Sequence, residues 1–174
     1  RGEIKIEEIL KEAELNFKLS VWTDKMKVYH KDVRNFSEVN QNKYDLIVSN
    51  PPYYASDVKP VKEKKVMARH VSTLSFEDLI LSAKKMLKQN GRFALVLPFF
   101  ESKLFIKEAE KHGFYLSKEQ LIIPIEGKEA NRVNMEFAPF KTEAIDNEQI
   151  VIRNKDYSYT TEFKNLLKDY YLDF

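Results

Sequence analysis

Tyr44-Asp45-Leu46-Ile47-Val48-Ser49 runs directly into Asn50-Pro51-Pro52-Tyr53. The apolar stretch from Lys43 to Ser49 is short and nearly continuous, the pattern of a strand buried in a parallel sheet. Two successive prolines cannot donate to a ladder, so the strand stops at Ser49. Asn50 is then the first residue beyond a strand's carboxyl end. In open α/β sheets, ligands bind in the crevice outside those ends.

Working outward, the pattern before and after this strand is helical and strand-like by turns. Residues 7–19 have helical spacing, with Ile6, Ile9, Leu10, Ala13 and Phe17 on one side. Lys25-Met26-Lys27-Val28-Tyr29-His30 alternates and predicts a strand. Residues 54–72 are polar and basic and read as a loop. Ser75-Phe76-Glu77-Asp78 has the form of a capping box and opens a helix expected to reach about Lys88. Gln89-Asn90-Gly91 is expected to stop it, with Gly91 in a left-handed cap. Arg92 to Leu97 predicts a second buried strand ended by Pro98. A helix follows from Glu101 to Lys111, with Gly113 just past its end. Phe114 to Ile125 and Arg132 to Phe140 predict two antiparallel strands. Thr160 to Tyr171 predicts a closing helix that turns Phe163, Leu166, Leu167 and Tyr170 inward. The alternating middle implies an α/β fold with a parallel sheet and covering helices. No repeat, low-complexity tract or linker interrupts residues 1–174, so one domain is expected.

Composition narrows the classes. The chain has 174 residues, 43% of them hydrophobic and 32% charged, enough for a core of ordinary globular type. There is no cysteine, which excludes disulfides, thiolate catalysis and cysteine-zinc sites. No metal is expected. No apolar run approaches the ~18 residues of a membrane span, and the first residues lack a signal-peptide core. A cytoplasmic location fits these features. A formal net charge of only +2 means that nucleic-acid binding requires a local patch.

Asn50 to Tyr53 suits one kind of ligand, a planar amine. The exocyclic amine of adenine is a poor nucleophile because its lone pair is delocalised into the ring. The Asn50 side-chain oxygen and the Pro51 carbonyl can accept hydrogen bonds from that amine as it pyramidalises. The prolines restrict the loop. Tyr53 can stack on the base, worth about 1–3 kcal/mol. Orientation and electrostatics do the work, without a strong general base. Asn-Pro also marks plain turns; its position after a buried strand favours a site.

The stretch Tyr44 to Tyr53 resembles motif IV of class I S-adenosylmethionine-dependent amino-methyltransferases. That motif is shared by adenine N6-methyltransferases and by the glutamine methyltransferases of release factors. Further stretches resemble the bacterial valine-tRNA adenine N6-methyltransferase family. These are Asn16 to Asp24, Val28 to Phe36, Ala68-Arg69-His70 with Leu74 to Leu79, Gly91-Arg92-Phe93 running to Leu97-Pro98, and Tyr159 to Phe174. The resemblance covers the chain from about residue 12 onward. It implies a Rossmann-like sheet with helices on both faces and an antiparallel C-terminal hairpin. It also implies S-adenosylmethionine as cofactor and, as substrate, an adenine beside the anticodon of a valine tRNA. Asn50, Pro51, Pro52 and Tyr53 would hold the target base. Asp32 would accept from the adenine amine of the cofactor, with Val33 giving a backbone contact and Asn50 bordering the same site. The other reading of Asp32 is a helix or turn cap. Lys62, Lys64, Lys65 and Arg69 form a basic stretch apt for tRNA phosphates, or else a solvated loop. Trp22 reads as packing and Phe99-Phe100 as core or rim. His70 takes no role.

One part of the pattern is missing. The resemblance calls for an acidic residue followed by Gly-x-Gly-x-Gly, and the four glycines here, Gly2, Gly91, Gly113 and Gly127, form no such loop. Residues 1–174 are therefore expected to be part of a longer methyltransferase, beginning after its first strand and binding the cofactor weakly alone. The alternatives are a protein-glutamine methyltransferase and a non-catalytic RNA-binding remnant. A DNA adenine methyltransferase ranks behind these, because large target-recognition insertions are absent.

Overall fold

The computed structural model describes residues 6–51 and 74–171. The predicted loop 54–72 lies outside them. A five-stranded sheet runs in the order β1-β2-β4-β3-β5. Its strands are β1 (Tyr44–Ser49), β2 (Leu87–Pro98), β3 (Tyr115–Ile125), β4 (Arg132–Ala138) and β5 (Asp146–Arg153). The helices are α1 (Ile6–Leu19), α2 (Val33–Val39), α3 (Phe76–Met86), α4 (Phe99–Lys111) and α5 (Thr161–Leu167). β1 pairs with β2 and β3 with β5 in parallel, whereas β4 runs antiparallel to both β2 and β3. The β3–β4 hairpin is antiparallel, as its sequence predicts. The carboxyl ends of β1, β2, β3 and β5 thus share one end of the sheet with the amino end of β4.

The capping box forms as the sequence dictates. The Ser75 Oγ accepts from the Asp78 amide at 3.0 Å, and an Asp78 carboxylate oxygen accepts from the Ser75 amide at 3.3 Å. α3 then buries Leu79, Ile80 and Ala83 against β2 and β4. Inward positions alternate along the strands: Phe93, Leu95 and Leu97 on β2, and Val133, Met135 and Phe137 on β4. α4 adds Phe105 and Ala109 to the same core. Phe105 sits at its centre, with ring centroids 5.1 Å from Phe76, 6.1 Å from Phe93 and 5.4 Å from Phe137. Edge-to-face geometry of this kind adds about 0.5–1.5 kcal/mol per pair beyond area burial.

The sheet departs from the sequence reading in several places. Gln89-Asn90-Gly91 does not cap α3; β2 begins at Leu87 and Gly91 lies within it. Among the described glycines, positive φ occurs at Gly113 and Gly127. Gly91 is needed for close approach instead. A Cβ there would stand 2.9 Å from the Tyr44 carbonyl oxygen, where the β1–β2 register shifts, and 2.8 Å from a Leu87 methyl. Gly91→Ala is expected to cost about 1–3 kcal/mol, as overpacking does. A thermal melt of the variant with no fall in Tm would contradict this reading of Gly91.

Lys25 to His30 is not a strand. Thr23–Lys25 is a 3-10 turn, and the residues after it are extended without a ladder partner among the described residues. Alternation supplies the propensity; a strand also needs a neighbour to pair with. β5 is an element the sequence reading passes over. Its first half, Asp146-Asn147-Glu148-Gln149, is exposed and polar, as an edge strand's often is, and only Ile150 is buried. The closing helix is shorter than predicted. Thr160 is its N-cap, accepting from the Phe163 amide, and the last turn dissolves after Leu167. Phe163 is half-buried, but Leu166 and Tyr170 are exposed. Trp22, expected to pack, is 62% exposed.

β1 lies at the sheet's edge among the described residues. Ile47 shares the core side with its partner Phe93, while Leu46 and Val48 stand exposed on the other. No residue of α1 is buried, and its Ile6 and Ile9 are more than half exposed. The described helices α3 and α4 cover one face of the sheet.

Candidate active site

Asn50 and Pro51 follow β1 directly, Asn50 exposed and Pro51 buried. Ser49 pairs with Leu95, so Asn50 stands beside the last residues of β2. The sequence predicts a buried strand ending just before Asn50; the strand and its end are where expected, but β1 is half-buried to exposed along its length. Pro52 and Tyr53 lie outside the described residues, as do Lys62, Lys64, Lys65 and Arg69.

Asp32 and Val33 sit at the start of α2. Asp32 is its N-cap and accepts from the Arg34 amide at 2.9 Å. Both carboxylate oxygens also accept from the Arg34 guanidinium, at 3.0 and 2.6 Å. The same guanidinium reaches Asp78 at 3.5 Å, which ties the start of α2 to the capping box of α3. The cap reading of Asp32 therefore holds in this geometry. It does not exhaust the carboxylate. An ionised carboxylate offers about four lone-pair sites, and three hydrogen bonds are made here. One acceptor site on Oδ2 remains, on a side chain one-third exposed. That residue set fits an amine donor such as the exocyclic group of an adenine.

The Arg34 side-chain hydrogen bonds, and then its backbone amide, hold the Asp32 pKa below the ordinary carboxylate value. Asp32 is thus an acceptor-only group throughout the neutral range. A depressed folded-state pKa stabilises above the unfolded value of about 3.9 and is lost as pH falls through the folded value. Acid is therefore expected to loosen the α2 cap below about pH 4. Asp32→Asn keeps a capping oxygen but not the charge, and should flatten this acid limb. Melts of both proteins between pH 2 and 6 check it; identical acid limbs would reject the assignment.

The same end of the sheet holds two rigid turns. The Phe99 amide donates to the Asn131 carbonyl, and the Asn131 amide to Ile122, which pins the start of α4 to the β3–β4 turn. The Glu126 amide donates to the Arg153 carbonyl, which binds that turn to the end of β5. Phe99 is half-buried and Phe100 is 79% exposed, so the pair forms a rim. Among the described residues no group of three or more His, Asp or Glu is placed to hold a metal ion, and no helix is long and apolar enough to cross a membrane.

Comparison with known proteins bears on the fold and the family. A predicted O-methyltransferase from Agrobacterium tumefaciens superposes with a TM-score of 0.64 at 17% identity, covering 95% of this chain and 74% of that one. At that identity the likeness speaks to the fold, which is Rossmann-like. The family model described as Eco57I restriction-modification methylase matches residues 2–133. The protein named tRNA1(Val) (adenine(37)-N6)-methyltransferase in Trichodesmium erythraeum is 34% identical over 94% of this chain and 68% of its own length. Its namesake in Pectobacterium carotovorum is 32% identical over 92% and 64%, and that in Flavobacterium johnsoniae 32% over 95% and 71%. The chain thus spans about two thirds of the length of these relatives. Identity above 30% over more than nine-tenths of this chain and more than two thirds of the Trichodesmium and Flavobacterium proteins means that the chain belongs to the tRNA1(Val) (adenine(37)-N6)-methyltransferase family.

Proposed function

We propose that this chain carries the target-base side of an S-adenosylmethionine-dependent RNA methyltransferase. Its substrate is the adenine beside the anticodon of a valine tRNA, methylated at N6 in the cytoplasm. The observation that carries this reading is the similarity to proteins of that name over nearly the whole chain. The family-model match stops at residue 133, whereas the similarity to the tRNA enzymes runs on towards the C-terminus. This favours RNA over the other amino-group substrates.

The cofactor, when bound, supplies an electrophilic methyl group on a sulfonium sulfur. Asp32 holds its adenine amine through the free Oδ2 lone pair, and Val33 contributes a backbone contact. The target adenine, splayed from the single-stranded anticodon loop, donates its two amine hydrogens to the Asn50 oxygen and the Pro51 carbonyl. Those bonds would draw the nitrogen lone pair out of ring conjugation and make the amine a better nucleophile. Pro52 keeps the loop stiff and Tyr53 stacks on the base. Lys62, Lys64, Lys65 and Arg69 meet the tRNA phosphates.

The test is methyl transfer from labelled cofactor to unmodified valine tRNA, with release factor as a second acceptor and nucleoside mass spectrometry as readout. N6-methyladenosine in the tRNA is the expected product. Label in the release factor instead would move the protein to the glutamine methyltransferases. RNA binding without transfer to either acceptor would identify a non-catalytic module.

A further inference from the structure

Single exposed aromatics are common on protein surfaces. Two here are set apart by where they stand and how rigidly they are held. Phe100 is in the first turn of α4, immediately beyond the carboxyl end of β2. Its neighbour Phe99 is fixed on both sides, the amide on Asn131 and the carbonyl accepting from the buried Ser102 hydroxyl at 2.8 Å. Tyr157 is 66% exposed at the tip of the turn that follows β5. Its φ of 66° is one that bulky residues rarely adopt.

That turn is braced throughout. The Asn154 amide donates to the Ser158 carbonyl, and the Tyr157 amide to the Asn154 carbonyl. Asp156 accepts from both the Ser158 amide, at 3.0 Å, and its hydroxyl, at 2.6 Å. The Arg153 guanidinium donates to the Tyr157 carbonyl and stacks on the Tyr159 ring, 4.0 Å from its centroid. Backbone strain held in place by so many bonds is characteristic of sites where a side chain is displayed for use. Three strand steps separate the ends of β2 and β5 in the sheet order. At a spacing of about 4.8 Å per step this is roughly 14 Å, the reach of a few nucleotides. Both rings lie at the same strand ends as Asn50. Charge along this row nearly balances, with Lys103, Lys128, Arg132, Arg153 and Lys155 set against Glu101, Glu126, Glu129 and Asp156. A row so balanced offers phosphates little net attraction, which leaves the two exposed rings as its distinguishing feature.

We propose that Phe100 and Tyr157 are stacking platforms for unpaired nucleotides of the substrate RNA, extending the Asn50 base site along the carboxyl ends of the sheet. The inference rests on the RNA reading above and names further residues for it.

Fluorescence anisotropy with a labelled, unstructured oligoribonucleotide tests it on the purified protein. Phe100→Ala and Tyr157→Gly should each weaken binding about five- to 100-fold, the effect of removing one stacking ring. Phe100→Trp and Tyr157→Phe should bind like the parent. The slope of log affinity against log salt should not change, because no phosphate contact is removed. Glycine suits the positive φ, so Tyr157→Gly should lose binding without a fall in Tm. Binding within about twofold of the parent in either ring-removing variant overturns the proposal, as does a parent that does not bind the oligoribonucleotide. A loss in Tyr157→Gly that tracks a lower Tm overturns it too. Methyl transfer to tRNA is measured in parallel. Absent transfer with ring-dependent binding removes the methyltransferase reading alone; transfer and binding indifferent to both rings remove this one alone.

Discussion

In the full-length enzyme, Asn50→Ala is expected to lower the turnover of RNA methylation by about 100- to 1,000-fold, the loss seen when one preorganised hydrogen-bonding group is removed from a developing charge. Alanine removes the side-chain acceptor beside the Pro51 carbonyl, so the target nitrogen should keep more of its conjugation. Asn50 is exposed and follows the last residue of β1, so the fold should not change. Cofactor affinity should stay near normal, because Asp32 and Val33 sit on a different element. Asn50→Asp retains acceptor oxygens and should lose less. Single-turnover kinetics with equilibrium cofactor binding separates the two effects. Unimpaired turnover in Asn50→Ala would remove Asn50 from the chemistry.

Phe105→Ala is expected to be the most damaging substitution in the described core, at about 3–5 kcal/mol. Phe105 is fully buried and is the ring on which Phe76, Phe93 and Phe137 converge. Its removal leaves a void bounded by α3, β2 and β4 together, and no single neighbour can fill it. For a chain of this size each kcal/mol moves Tm by about 2–4 °C, so a fall of roughly 6–20 °C should appear in a thermal melt. A fall of a degree or two would mean that the core repacks around the gap.

The legible parts of the fold were those in which local signals agreed. The capping box at Ser75 and Asp78 places the start of α3 because both partners lie within four residues. β1, β2 and α4 follow from unbroken apolar patterning ended by proline or glycine. What misled was information held elsewhere in the chain. Gly91 was read as a cap because Asn-Gly usually ends helices, but its role is set by the Tyr44 carbonyl, which no local window contains. Residues 25–30 alternate without a partner strand. β5 hides a single buried position, Ile150, behind four polar residues. At the candidate site, the position of Asn50 and Pro51 at the end of β1 is legible because the strand and the prolines that end it are local signals. The cap role of Asp32 is legible only as one of two alternatives, since spacing alone does not tell a cap from a ligand, and its pairing with Arg34 has no sequence signal of its own. Tyr157 carried no hydrophobic pattern at all. Its signal was the turn chemistry of Asn154, Asp156 and Ser158, which gains meaning only once the turn is seen at the same end as Asn50.

The place of β1 in the sheet has a kinetic consequence. β3 and β4 are joined by a short turn and can zip together early. β1 meets β2 only after the intervening residues, α3 among them, have been closed into a loop. Loop-closure entropy makes such a pairing late. Among the described residues β1, like β5, has one hydrogen-bonded neighbour, and with Val48 open to water it is a strand from which transient opening should start. Amide hydrogens of β1 should then exchange faster than those of β2 and β4. The amide proposed to hold the target base thus follows an edge strand of the described sheet, and RNA that engages Asn50 would be expected to slow that opening.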